Sequence, residues 1–163
     1  MTRADDRVLE GLAKQLAEAL IASGRRLATA ESCTGGWIAK CCTDIAGSSS
    51  WFERGFVCYS YASKREVLGV DAVELESQGA VSEVVARQMA RGAVGHSRAD
   101  LALAVTGIAG PGGGMPDKPV GTVWFAWALE DRVDSEICTF AGGREAVRRQ
   151  TVAHALRGMI ERL

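Results

Sequence analysis

Three side chains able to act as nucleophiles or hydrogen-bonding groups, Ser32, Cys33 and Thr34, stand in a row and run straight into Gly35 and Gly36. The stretch 27–39 around them starts as a short apolar run and ends with helical character. That is the form of a strand feeding a helix through a turn whose backbone a ligand can approach closely. A helix N-terminus there would offer free N–H groups to an oxyanion or a phosphate. Acyl transfer needs a nucleophile, a base and donors for the developing oxyanion. The N–H groups of Cys33, Thr34 and Gly35 could be those donors. A histidine base is not in evidence. His96 falls near a predicted helix end and His154 inside the last helix, both far from the turn in sequence. Each reads as structural, which sets a Ser-His-Asp triad aside.

Ser-Lys variants of the triad exist, and Lys64 is the candidate base for Ser32. It falls in the first turn of a helix that Ser63 can cap, where the helix dipole disfavours a cation and lowers its pKa. Tyr59, on the preceding strand, could relay the proton or hold the lysine. A solvated Lys64 and a core Tyr59 are the plain alternative. Cys33 is a rival nucleophile, since a helix N-terminus lowers a thiol pKa. Glu31 either orients the loop or acts as a simple capping acid.

A second glycine-rich segment, Thr106-Gly107-Ile108-Ala109-Gly110-Pro111-Gly112-Gly113-Gly114, follows a continuous apolar run at 101–105. It is not a P-loop, because Gly-Lys-Ser/Thr is missing, and the Gly-x-Gly-x-x-Gly spacing fails too. Its attachment to a buried strand favours a ligand loop over a merely flexible one.

Apolar residues at helical spacing predict a first helix carrying Val8, Leu9, Leu12, Leu16 and Leu20, capped by Asp5 or Asp6 and ended at Ser23-Gly24. A helix is expected over about 36–45 and a strand over 56–61, rich in aromatic and β-branched residues. Asp71 and Glu74 form a capping-box pattern. Ser82 caps a helix with Val85, Met89 and Ala93 inward. Residues 101–105 and 121–129 read as strands buried on both faces, and 133–140 returns as a hairpin. A last helix starts near Arg144. Strands mixed with helices in this order predict a single-domain three-layer α/β/α sandwich with a mixed sheet. Ligands in such folds bind at the carboxyl ends of strands, so the three polar turns 31–36, 59–64 and 106–114 should converge on one pocket.

The 163 residues carry a formal net charge of -1. Arg25-Arg26 and Arg148-Arg149 are only pairs, so neither a nucleic-acid track nor a polybasic membrane anchor is indicated. No apolar segment has transmembrane length, and the first six residues do not read as a signal peptide, which places the chain in the cytoplasm. The five cysteines have no Cys-x-x-Cys spacing, and with two distant histidines they read as free thiols and not as a zinc site.

The motif Thr29-Ala30-Glu31-Ser32-Cys33-Thr34-Gly35-Gly36 resembles the opening motif of the C-terminal domain of the competence/damage-inducible protein CinA. Ala46-Gly47-Ser48-Ser49, Tyr59-Ser60 with Lys64, Gly79-Ala80-Val81-Ser82, Thr106 to Pro111 and Lys118-Pro119-Val120-Gly121-Thr122 match it in order and spacing. The resemblance spans almost the whole chain, 1–163, and fits a stand-alone member with nicotinamide-nucleotide amidase activity. It implies hydrolysis of nicotinamide mononucleotide to nicotinate mononucleotide and ammonia, with neither metal nor cofactor. Carried over by position, it implies Ser32 as nucleophile with Lys64 and Tyr59 activating it. Glu31, Cys33, Thr34, Gly35, Gly36, Ser48, Ser49, Thr106, Gly107 and Gly110 would line the pocket. Arg144 matches an arginine of the family's Gly-acid-Arg segment, with Gly143 standing where an acid is common. The charge balance argues against DNA binding. A homo-oligomer is compatible with the chain, and a non-catalytic nucleotide-binding or partner-docking module is the competing function.

Overall fold

The computed structural model describes residues 4–163; Met1, Thr2 and Arg3, part of the N-terminal stretch that does not read as a signal peptide, lie outside the described residues. In chain order the elements are α1 (Asp6–Ser23), β1 (Leu27–Glu31), α2 (Trp37–Thr43), a 3-10 turn (Ser48–Ser50), β2 (Phe52–Val57) and α3 (Tyr61–Leu68). Then come α4 (Ala72–Gln78), α5 (Glu83–Gly95), β3 (Leu101–Gly107), β4 (Thr122–Leu129), β5 (Arg132–Thr139) and α6 (Arg144–Arg162). The sheet order is β2-β1-β3-β4-β5. The first three strands run parallel, and β4 and β5 are antiparallel additions. The predicted mixed sheet between two helical layers is therefore the observed architecture.

The two faces of the sheet carry different side chains. Alternation along each strand sends Leu27, Leu101, Leu103, Val105, Val123, Phe125, Trp127 and Leu129 to one face, under α1, α2 and α6. The other face carries Ala28, Ala30, Ala102, Ala104, Ala126 and Ala128, packed by α3, α4 and α5. The register stacks these alanines in two rows, Ala28–Ala102–Ala128 and Ala30–Ala104–Ala126. Short side chains on the floor let α5 sit close, with Val85, Met89 and Ala93 fully buried as predicted.

The strand expected over 56–61 lies at 52–57 instead. β2 is an edge strand, and its position is set by ladder pairing with β1, from Leu27↔Phe52 to Glu31↔Val57. Phe56 and Val57 then end the strand, and Cys58, Tyr59 and Ser60 fall past the end of the sheet. Ser60, not Ser63, caps α3, and its Oγ accepts from the Ser63 N–H at 3.0 Å. Tyr59 is thus in a connecting loop, and Lys64 comes one turn into α3.

Candidate active site

β1 ends at Glu31, but one more ladder bond, from Ser32 N–H to Val105 C=O at 3.1 Å, carries the extended chain a residue further. The period of two then places Glu31 and Ser32 on opposite faces. Ser32 follows Ala28 and Ala30 toward α3. Glu31 follows Leu27 toward α2. Two buried ionisable groups result, one on each side of the strand end.

On the α2 side, the Glu31 carboxylate accepts from Thr34 Oγ1 at 2.6 Å, Ile38 N–H at 2.8 Å and Ala39 N–H at 3.0 Å. Gly36, the N-cap of α2, has no side chain to satisfy those first-turn donors, and Glu31 does it from the strand. Burial pushes the Glu31 pKa up, while the hydrogen bonds from Thr34, Ile38 and Ala39 pull it down. The expectation that the N-terminus of α2 is free for an oxyanion or phosphate is thereby corrected, since the protein's own carboxylate fills it. Glu31 and the Thr34 side chain brace the turn. Gly35 and Gly36 adopt left-handed conformations, φ 60° and 101°, which the reversal into α2 requires.

On the α3 side, Lys64 is fully buried, and its Nζ donates to Ser32 Oγ at 2.9 Å and to the Tyr59 carbonyl at 2.9 Å. It makes no ion pair among the described residues. Burial holds its pKa below the ordinary 10.5, which corrects the dipole argument: desolvation is the cause. Tyr59 holds the lysine with its main chain. The residue is 61% exposed, and its hydroxyl accepts from Arg144 Nη2 at 3.3 Å. Arg144 Nη1 donates to the Gly110 carbonyl at 2.9 Å, so this arginine bridges the second and third turns. Gly143 leaves no acid there, and a carbonyl and a phenol hold Arg144 instead.

Cys33 points into the core, and burial pushes its thiol up to about 12, so it is no rival to Ser32. Thr106 lies on the alanine face beside Ser32, but its hydroxyl donates to the Ala80 carbonyl at 2.9 Å. Gly107 is packed against Val123, where an added Cβ would come within 2.7 Å of Cγ2. The three predicted turns do meet. Ser48 and Ser49 do not join them in a single chain. They precede β2, at the opposite end of the sheet, where the Ser49 carbonyl accepts from Arg26.

Of the proposed oxyanion donors, Gly35 N–H is already bonded to the Ser32 carbonyl at 3.2 Å. The N–H groups of Cys33 and Thr34 have no acceptor among the described residues. Sequence reasoning missed Arg148, whose Nε donates to the Cys33 carbonyl at 3.0 Å and Nη2 to the Thr34 carbonyl at 3.1 Å. Its spacing of four from Arg144, on one helix face, was the available signal. His154 is indeed tied into structure: its Nε2 meets Glu136 Oε2 at 2.8 Å and Cys138 Sγ at 3.6 Å, with Arg162 on the other Glu136 oxygen at 3.1 Å.

Residues 9–163 match the CinA C-terminal domain family. The chain belongs to that family. Among its relatives, the nicotinamide-nucleotide amidohydrolase PncC of Escherichia coli strain K12 is 54% identical over 153 residues, covering 93% of this chain and 92% of that one. The protein of the same name from Pseudomonas putida is 53% identical over 150 residues, covering 92% and 94%. A CinA-like protein of Geobacter sulfurreducens is 54% identical over 142 residues, which are 86% of this chain and 34% of that one. The CinA fold is also seen in solved structures. The competence/damage inducible protein CihA of Agrobacterium tumefaciens superposes with a TM-score of 0.92 at 46% identity, covering 94% of each chain. A CinA superfamily protein of Escherichia coli gives 0.93 at 39% identity, covering 98% and 93%.

Proposed function

We propose that this chain hydrolyses the amide of nicotinamide mononucleotide, giving nicotinate mononucleotide and ammonia, as the names of its CinA-family relatives imply. The observation that carries the mechanism is the buried contact between Lys64 Nζ and Ser32 Oγ. In its neutral form Lys64 takes the serine proton as Oγ attacks the amide carbon, and burial favours that form. The Cys33 and Thr34 N–H groups donate to the amide oxygen as negative charge develops on it. Protonated Lys64 then returns the proton to the leaving nitrogen, and ammonia departs from an acyl-serine. Water, deprotonated by Lys64, hydrolyses that ester and frees Ser32. Tyr59 fixes Lys64 through its carbonyl and Arg144 through its hydroxyl. Arg144 serves the substrate phosphate, a remote anion whose binding positions the amide.

The chemistry calls for no metal and no cofactor, and the family relatives are named for a small-molecule substrate. Among the described residues no helix is long and apolar enough to cross a membrane. Ammonia release from nicotinamide mononucleotide by the purified chain, with and without EDTA, tests the proposal. Turnover unaffected by the chelator is expected. Absence of turnover would leave a nucleotide-binding module as the reading.

A further inference from the structure

Among the described residues, Arg148 is the one guanidinium that reaches the nucleophile turn from behind. It rises from α6 on the large-residue face, donates to two consecutive carbonyls of the turn and lies over the Trp37 ring, 5.4 Å from its centroid. It forms no ion pair among the described residues, so its charge is directed at the turn.

A peptide group is planar, and its C=O and N–H point in opposite directions. The carbonyl of Cys33 belongs to the same peptide as the N–H of Thr34. Drawing that carbonyl toward Arg148 turns the Thr34 N–H away from α6. Ser32 Oγ and Lys64 lie on that far side, because Ser32 shares the alanine face with α3 while the Cys33 side chain packs in the core under α1, α2 and α6. The preceding peptide is fixed in the same way: the Ser32 carbonyl accepts from Gly35 N–H, which leaves the Cys33 N–H opposed to it. One carbonyl is thus held by the turn itself, the other by a side chain borrowed from α6.

We infer that Arg148 is a positioning residue for the reaction: it sets the peptide between Cys33 and Thr34 so that the Thr34 N–H becomes the second oxyanion donor. The inference rests on the amidase reading above. The guanidinium also places positive charge behind the donor pair, where it deepens their pull on an oxyanion. Arg148 touches no reacting atom in this scheme. Its effect belongs in the transition state and not in substrate affinity.

The test uses Arg148→Met, which keeps an apolar stem on Trp37, and Arg148→Lys, which keeps the charge but not the fork. For Arg148→Met, kcat on nicotinamide mononucleotide should fall about 10–100-fold, less than deletion of an oxyanion donor costs, with KM within about two-fold. Arg148→Lys should fall between it and the unmodified chain. Binding of the 3-carboxaldehyde analogue of the substrate, which forms a tetrahedral adduct on a serine, should weaken in proportion to kcat. Binding of the product nicotinate mononucleotide should not. An unchanged kcat, or a loss shared equally by aldehyde and product, overturns the inference. A second measurement needs no turnover: backbone 15N relaxation at Cys33 and Thr34 should report a rigid turn that becomes mobile in Arg148→Met. Unchanged order parameters would overturn the inference whatever the substrate proves to be. Failure of the unmodified chain to release ammonia, with the turn loosened as expected in the variant, would instead reject the amidase reading alone.

Discussion

The end of β1 divides two buried charges that the protein treats in opposite ways. On the α2 side, Glu31 has three donors closed around it, from Thr34, Ile38 and Ala39. On the α3 side, the Lys64 amine has two acceptors among the described residues, Ser32 Oγ and the Tyr59 carbonyl, one fewer than an ammonium needs. A buried group whose partners are all supplied is a brace. One left short, with a neutralising shift and a serine hydroxyl in contact, is poised to exchange a proton. Two arginines of α6 repeat the division. Arg148 grips the braced side of the turn, and Arg144 reaches across the open one.

The largest break in this comparison should come from Ser32→Ala. Loss of a covalent nucleophile lowers kcat by about 10⁴-fold or more, while a small-to-small change in a turn leaves the melting temperature nearly as it was. Cys33→Ala should keep most of the activity, because its thiol is held protonated in the core. Ammonia release and thermal melts on both variants decide it. A dead Cys33→Ala beside an active Ser32→Ala would put the nucleophile on the wrong residue.

Lys64→Met comes next, with opposite signs in the two readouts. Activity should drop by about 10²–10⁴-fold as the base is lost. Stability should hold or rise, because a buried unpaired ammonium is replaced by an apolar chain of similar length. The sign follows from linkage. The folded pKa lies below the ordinary 10.5, so the folded chain binds this proton less tightly than the unfolded one. The resulting penalty is complete below the folded pKa and is relieved as pH climbs through it toward 10.5. The stability advantage of Lys64→Met should therefore be greatest near neutrality and shrink in alkali. By the same shift, kcat/KM of the unmodified chain should rise with pH as Lys64 loses its proton. A flat profile up to alkaline pH would remove Lys64 as the base.

Arg144→Ala sharpens the division between the arginines. A charge-assisted hydrogen bond to phosphate is worth about 1.5–3 kcal/mol, or roughly one to two decades in kcat/KM. That loss should appear on nicotinamide mononucleotide and not on nicotinamide riboside, which has no phosphate. Equal fractional losses on both substrates would take Arg144 off the phosphate.

Glu31→Gln should be the smallest break and mainly one of stability. The amide nitrogen would face a main-chain donor of α2, at a cost of about 1–3 kcal/mol for the unsatisfied pair. Denaturant melts should show that loss with residual activity in the folded fraction. A variant as stable as the parent would mean that Glu31 is not the brace described.

Much of this division is already written in local pattern. The alternation Leu27-Ala28-Thr29-Ala30 tells the two faces apart, and Ser32 and Lys64 stand out once histidine is set aside. What eluded the sequence depends on pairing across the chain. β2 slid by four residues because its register answers to β1, and Ser60 displaced Ser63 as cap in consequence. Ser48 and Ser49 precede an edge strand, a fact invisible until the strand is placed. Arg148 looked like half of a basic pair, because its work is on carbonyls that no residue pattern marks. Glu31 was legible as a capping acid, though not as the cap of a helix whose own N-cap is glycine.

The contacts that complete the site close very unequal loops. Lys64 meets Ser32 across 32 residues, Arg144 meets Gly110 across 34, and Arg148 meets the Cys33 carbonyl across 115. Closing the longest of these costs the most chain entropy, and nothing local compensates for it until α6 has docked. During folding, the serine and lysine can find each other within the first half of the chain, while on the inference above the Thr34 N–H stays unaligned until the last helix arrives. A nascent or truncated chain would thus hold its nucleophile and base without the means to use them. On the proposed mechanism, Ser32 would stay idle until the whole domain is assembled.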